Sequence, residues 1–150
     1  AQIISEKFMD DELVIVCGKD HPIRKKDKVY LKDLLEYDFI LREKGSGVRK
    51  LFDSILLIHG ISIEPVWTCS STQAILNAVN QDIGLSALPY RQIERFLDNG
   101  DVCQVPLQDA VFKRNLCIIY HRQKYLTDIA KIFMQEIHNA SKKYKPLPSY

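Results

Sequence analysis

This chain lacks most of the patterns that announce a catalyst. Its four cysteines, Cys17, Cys69, Cys103 and Cys117, include no CxxC pair, so neither a zinc ribbon nor a thioredoxin-like redox motif is supported. The four histidines, His21, His59, His121 and His138, share no metal-ligand spacing. GxGxxG is absent, because Gly45-Ser46-Gly47 runs into Val48-Arg49-Lys50 without a third glycine, and the Walker pattern is absent too. No serine has the GxSxG surroundings of a nucleophile elbow, and no histidine is placed by sequence beside one. Asp10-Asp11-Glu12 reads as a surface run. The chain is therefore expected not to be an enzyme, with no catalytic residue, no metal and no cofactor.

Excess charge is also missing. Twenty-one basic residues face 19 acidic ones for a net charge of +2, which leaves no nucleic-acid footprint. The one dense basic run, Arg24-Lys25-Lys26-Asp27-Lys28, follows His21-Pro22 and reads as a solvated loop. No apolar stretch approaches the roughly 20 residues of a membrane span, and no signal-peptide pattern is present. The first residue is Ala1, not Met, as expected of a processed chain or a piece of a longer one. Three cysteines lie in apolar runs, where Cys behaves as a small buried hydrophobe. A reducing, cytoplasmic location is the expectation.

What is present is a 46% hydrophobic chain of 150 residues, long enough for one packed domain or two small lobes. The most informative segment is Phe39–Arg49, FILREKGSGVR. An apolar strand runs into a charged turn, then Gly45-Ser46-Gly47 opens a helical pattern. Helix N-termini carry unpaired N–H groups and partial positive charge, so such turns bind small anions. A second turn of this kind follows, with Ser70-Ser71-Thr72 before another helix. Both sets of residues also serve as ordinary helix caps, and the residues alone do not separate the two readings. Arg49 and Arg42 are equally open: each either grips an anion bidentately or lies exposed. Trp67, the one tryptophan, reads as a core or interface residue.

The periodicity predicts an alternating order. Leu13–Gly18 is a strand buried on both faces, Tyr30–Glu36 a short helix, Asp38–Arg42 a strand, and Val48 onward a helix ended by Gly60. Ile63–Cys69 is a strand bearing Pro65, and the second helix runs past Val79. Leu85–Leu88 is a short strand, and Pro89 starts the helix through Leu97. Two strands, Val102–Leu107 and Leu116–Arg122, precede a helix capped by Thr127 with Ile129, Ile132, Phe133 and Ile137 on its apolar face. Lys145–Tyr150 is expected to be a loose terminus. Strands alternating with helices imply an α/β fold on a mostly parallel sheet, with the ligand crevice outside the carboxyl ends of the strands.

Taken in order, ELVIVCGKDHPI (Glu12–Ile23), VYLKDLLEYDFILREKGSGVRKLFD (Val29–Asp53), EPVWTCSSTQAILNAVNQDIGLSALP (Glu64–Pro89), LDNGDVCQVPL (Leu97–Leu107) and LCIIYHRQKYLTDIAKIFMQEI (Leu116–Ile137) resemble the effector-binding region of LysR-type transcriptional regulators. The resemblance implies a periplasmic-binding-protein-like fold of two α/β lobes around an effector cleft. Residues 12–111 would be the second lobe, 1–11 and 112–143 crossing segments and a remnant of the first lobe, including its C-terminal helix, and 144–150 a tail. The family's winged helix-turn-helix and most of its first lobe have no counterpart here, so DNA would be bound only through a domain absent from this chain, and half the cleft would be present. Carried over by position, Gly45, Ser46, Gly47 and Arg49 would form the effector wall, with Ser70, Ser71 and Thr72 beside them and Leu88 and Pro89 bordering it. The effector would be a small carboxylate or polar metabolite. The family's regulatory regions pair, so a homo-oligomer (dimer or tetramer) is implied, with Val48–His59 as candidate surface and self-association through uncovered apolar faces. No membrane partner is implied. A transporter's solute-binding protein on the same fold is the alternative.

Overall fold

In this computed structural model the described residues are 2–144, 146 and 147. The secondary structure comprises β1 (Ile3–Cys17), β2 (Ile40–Arg42), α1 (Gly47–Ile58), β3 (Trp67–Cys69), α2 (Thr72–Asn80), β4 (Ser86–Pro89), α3 (Tyr90–Asp98), β5 (Cys103–Val105), β6 (Phe112–His121) and α4 (Asp128–Ser141). The chain divides into two compact units, Glu12–Phe112 and the pair of segments Ala1–Asp11 with Lys113–Tyr150.

In the Glu12–Phe112 unit, the apolar run Leu13–Cys17 lies between two partners. It pairs antiparallel with β4, Leu13 opposite Pro89 and Val16 opposite Ser86, and antiparallel with β5, Cys17 opposite Cys103. β2 pairs with β3 in parallel, Ile40 opposite Trp67 and Arg42 opposite Cys69. A parallel bridge between Phe39 and Leu85 sets β2 beside β4, with the Ile40 N–H on Leu85 O and the Leu85 N–H on Asp38 O, both at 2.8 Å. The spatial order is thus β3-β2-β4-β1-β5. Four of these strands run one way, as the alternating pattern predicts, and β1 runs against them through the middle. The apolar run of β1 indicated burial on both faces but not direction; both neighbours come from later in the chain.

Two cores follow from the strand alternation, one on each face of the sheet. On one face Leu13, Ile15, Cys17, Leu85 and Ala87 meet Val48, Phe52 and Leu56 of α1. Phe39, Phe52 and Phe112 line up there with ring centroids 5.8 and 5.5 Å apart. On the other face Val14, Val16, Ile40 and Leu88 meet Ile75, Leu76 and Val79 of α2 and Ile93 of α3. Each fully buried side chain of this size contributes about 1.5–3 kcal/mol.

Several boundaries differ from the sequence reading. The basic run Arg24–Lys28, expected as loop, begins inside a 3-10 helix, Pro22–Lys25, capped by His21, whose Nδ1 accepts from the Ile23 N–H. Leu31–Glu36 is a 3-10 helix, fastened when the Leu31 N–H donates to Asp109 at 2.9 Å and the Tyr30 N–H to Asp33 at 2.8 Å. Strand pairing after Pro65 is confined to Trp67–Cys69, and Pro89 ends β4 as the N-cap of α3, not its first helical residue. Of the cysteines only Cys17 is fully buried; Cys69 and Cys103 are half-buried and Cys117 is exposed.

In the other unit, β1 begins ten residues before the predicted Leu13. That segment is rich in charge, so it does not read as a buried strand, yet its exposure alternates. It pairs with β6. The Arg122 N–H reaches Gln2 O at 2.7 Å, the Tyr120 hydroxyl donates to Glu6, and Arg114 binds Asp11 with Nε at 2.8 Å. These contacts, at opposite ends of both strands, show that β1 and β6 run antiparallel. Thr127 caps α4 by accepting from the Ala130 N–H at 3.2 Å, as expected. The helix's Ile129, Ile132 and Phe133 are exposed. Lys145 and Pro148–Tyr150 of the expected loose tail lie outside the described residues.

Candidate functional site

The parallel register of β2 and β3 decides where the two polar turns fall. Arg42, the last residue of β2, is opposite Cys69, the last of β3. The segments that leave them, Glu43–Ser46 and Ser70–Ser71, therefore emerge side by side at the carboxyl end of the sheet. The Phe39–Leu85 bridge carries the same alignment to β4, so the Leu88–Pro89 end belongs to that edge as well. The sheet thus gathers three helix starts, those of α1, α2 and α3, at one edge.

At the first start, Ser46 is the N-cap of α1, and its Oγ accepts from the Arg49 N–H at 3.1 Å. Gly45 takes φ +107°, a region L side chains rarely adopt. A Cβ at Gly45 or Gly47 would meet nothing within 4 Å among the described residues, so Gly47 answers to no local packing demand. At the second start, Ser71 caps α2 by accepting from the Ala74 N–H at 3.3 Å, and its own N–H reaches Cys69 Sγ at 3.4 Å. Ser70 is an exposed bend and Thr72 the first residue of α2. Each capping hydroxyl uses a lone pair and keeps its proton to donate.

The arginines resolve differently from either reading the sequence allowed. Arg49 is buried, 4% exposed, and its Nε lies 2.8 Å from both carboxylate oxygens of Asp53, one turn along α1. Its Nη1 also donates to Arg42 O at 3.5 Å, tying α1 to the end of β2. Arg42 binds the neighbouring Glu43, with Nε at 2.9 Å and Nη2 at 3.1 Å; this guanidinium holds the Glu43 carboxyl below its ordinary range. Neither arginine stands uncommitted in front of the turns. Asp53 and Glu43 were missed as counterions, although the i,i+4 spacing of Arg49 and Asp53 is a legible signal. Leu88 points into the core at 0% exposure, and Pro89 is buried, so at this edge they offer backbone and support, not side-chain contacts. What the arrangement provides chemically is N–H and hydroxyl donors at two positive helix ends, with the exposed Lys44 in the first turn. Among the described residues no group of His, Cys, Asp or Glu could hold a metal ion, and no helix is long and apolar enough to cross a membrane.

The model of the LysR substrate binding domain matches residues 1–142. The chain belongs to this family. Among curated LysR relatives, the HTH-type transcriptional regulator YeiE of Escherichia coli K12, itself described as uncharacterized, is 35% identical over 133 residues, 89% of this chain and 45% of that protein. The HTH-type transcriptional regulator CysL of Bacillus subtilis strain 168 is 30% identical over 129 residues, 86% of this chain and 43% of that one. The chain spans less than half the length of these relatives. Its fold is that of LysR effector-binding domains. The regulatory domain of Synechocystis CcmR in complex with 2-PG superposes with a TM-score of 0.85 at 23% identity, covering 95% of this chain and 68% of that one. The effector-binding domain of QuiR in complex with shikimate gives 0.80 at 24% identity, covering 95% and 67%. The matched relatives are transcriptional regulators, so the transporter alternative gains nothing from them.

Proposed function

We propose that this chain is the effector-sensing part of a cytoplasmic LysR-type transcriptional regulator, with Glu12–Phe112 as one lobe of its effector domain. In this reading Gly45, Ser46 and Gly47, with Ser70, Ser71 and Thr72, form the wall of the effector site. They bind the carboxylate or another polar group of a small metabolite. Arg49 serves that wall indirectly, by fixing the first turn of α1 against β2. The observation that carries the reading is the pairing of Arg42 with Cys69, which sets two serine-capped helix starts side by side. Shikimate, which the QuiR domain holds, is itself a carboxylate.

The effector would act by binding one conformation of the regulator better than another. It can shift that equilibrium only by the difference between the two affinities. DNA contact lies in a domain outside these residues. Self-association is part of the same reading: Leu57 and Ile58 on α1 are 75% and 82% exposed, and Ile129 on α4 is 80% exposed. Large exposed apolar areas usually mark contact surfaces. Sedimentation of the full-length regulator as a monomer at high concentration would remove that part.

The effector wall is tested by a thermal-shift screen of small carboxylates on the full-length regulator, followed by Ser46→Asp. Aspartate keeps the helix cap but sets a negative charge at the proposed anion position. The expected result is unchanged stability of the unliganded protein and loss of the ligand-induced shift, with Lys142→Ala, on the exposed end of α4, leaving that shift intact. Equal responses from both variants would reject the wall.

A further inference from the structure

Cys17 and Cys103 face each other across the β1–β5 ladder as direct antiparallel partners. Their side chains lie on the same face, because Cys17 belongs to the core cluster with Leu13 and Ile15, and Cys103 packs against that cluster. Direct partners on antiparallel strands have Cα atoms about 4.5–5.5 Å apart, inside the roughly 4.4–6.8 Å range that a disulfide spans. Both thiols are free in this structure. They differ in access: Cys17 is fully buried at the end of β1, and Cys103 is half-exposed on β5. Neither residue belongs to the serine-capped edge, since Cys17 is the carboxyl-terminal residue of a strand that runs against β2 and β3.

We propose that Cys17 and Cys103 form an oxidisable dithiol site, a cross-strand pair that a peroxide converts to an intramolecular disulfide joining β1 to β5. The half-exposed sulfur reacts first. The Cys103 thiolate attacks hydrogen peroxide, the O–O bond breaks, and Cys103 sulfenic acid forms with release of hydroxide. The Cys17 thiol then displaces the sulfenic oxygen, which leaves as water once it takes the thiol proton, and the S–S bond forms. Two thiols are oxidised by two electrons and one peroxide is reduced. Burial pushes the Cys17 thiol up to about 12, so Cys17 is a poor first nucleophile and serves as the resolving partner. Its fixed position opposite Cys103 replaces a bimolecular encounter with a local one.

The test uses the full chain in its native state with stoichiometric hydrogen peroxide, then alkylation of remaining thiols and tryptic mapping. The four cysteines fall in separate tryptic peptides, and those of interest are Phe8–Lys19 and Phe96–Lys113. The expected product joins these two peptides, is reversed by dithiothreitol, and does not form when the chain is unfolded in urea during a brief treatment. A Cys69→Ser/Cys117→Ser double variant should give the same cross-linked product at an unchanged rate, since Cys69 ends β3 at the serine-capped edge and Cys117 belongs to the other compact unit. Cys103 driven to sulfinic acid while Cys17 remains alkylatable would overturn the proposal. So would a product that joins Cys103 to Cys69 or Cys117 in preference to Cys17.

Discussion

Arg49 and Asp53 are locked together along α1, with the Arg49 Nε 2.8 Å from each carboxylate oxygen. The pair gives a guanidinium that is only 4% exposed its counter-charge beside the proposed anion site. Its charge is spent on Asp53, and its Nη1 reaches the last carbonyl of β2. The first turn of α1, where Ser46 and Gly47 lie, is thereby held against the strand that precedes it.

Asp53→Asn should therefore destabilise the protein, because a buried cation loses its counter-charge. Asp53 is itself half-exposed and water softens the loss, so the cost is about 1–2 kcal/mol, below that of breaking a fully buried pair. Urea unfolding of the two proteins at neutral pH measures it. An unchanged midpoint would mean that solvent alone can carry the Arg49 charge.

Gly84→Ala should loosen the join between β2 and β4. A Cβ at Gly84 would come 2.7 Å from Asp38 O, the same carbonyl that accepts the Leu85 N–H. Backbone must shift to relieve the clash, at about 1–3 kcal/mol. Hydrogen exchange should show the Leu85 and Ile40 amides losing protection ahead of those of α4.

Ser86→Ala is expected to stabilise. The Ser86 Oγ is buried on β4, opposite Val16, and has no hydrogen-bond partner among the described residues. A buried hydroxyl left unsatisfied costs about 1–3 kcal/mol, and alanine removes it with little change of volume. A rise in the thermal midpoint is the expected reading; a fall would indicate that the hydroxyl is satisfied in solution.

Stability should decline on mild acidification through His21. Burial lowers the pKa of this imidazole from its ordinary 6.5, against the opposing pull of Asp82. Its Nδ1 accepts from the Ile23 N–H, which requires that nitrogen unprotonated. The unfolded chain thus binds the proton more readily than the folded one. The His21 contribution is whole above about pH 6.5 and is lost as pH falls through that value toward the lower folded pKa. Equilibrium unfolding between neutral and mildly acidic pH should show this slope, and His21→Asn should flatten it.

The helix caps were legible in the sequence. Ser46, Ser71 and Thr127 act as the caps their positions suggested, because a cap depends on a short hydroxyl next to a helical stripe. Less legible were the roles of Arg49 and Leu88. Each is decided by what lies across a helix turn or beneath a strand end, Asp53 in one case and the α2–α3 core in the other.

By itself the sequence determined the alternation of strands and helices, the core stripes of α1 and α2, and the family, since these rest on short-range periodicity and on motifs in order. Only the tertiary structure decided that β1 runs antiparallel through the middle of the sheet, that it starts at Ile3 under a charged and uninformative segment, and that Arg42 stands level with Cys69. Strand direction and register come from pairing between segments tens of residues apart, and such contacts leave no mark in the local pattern of either segment.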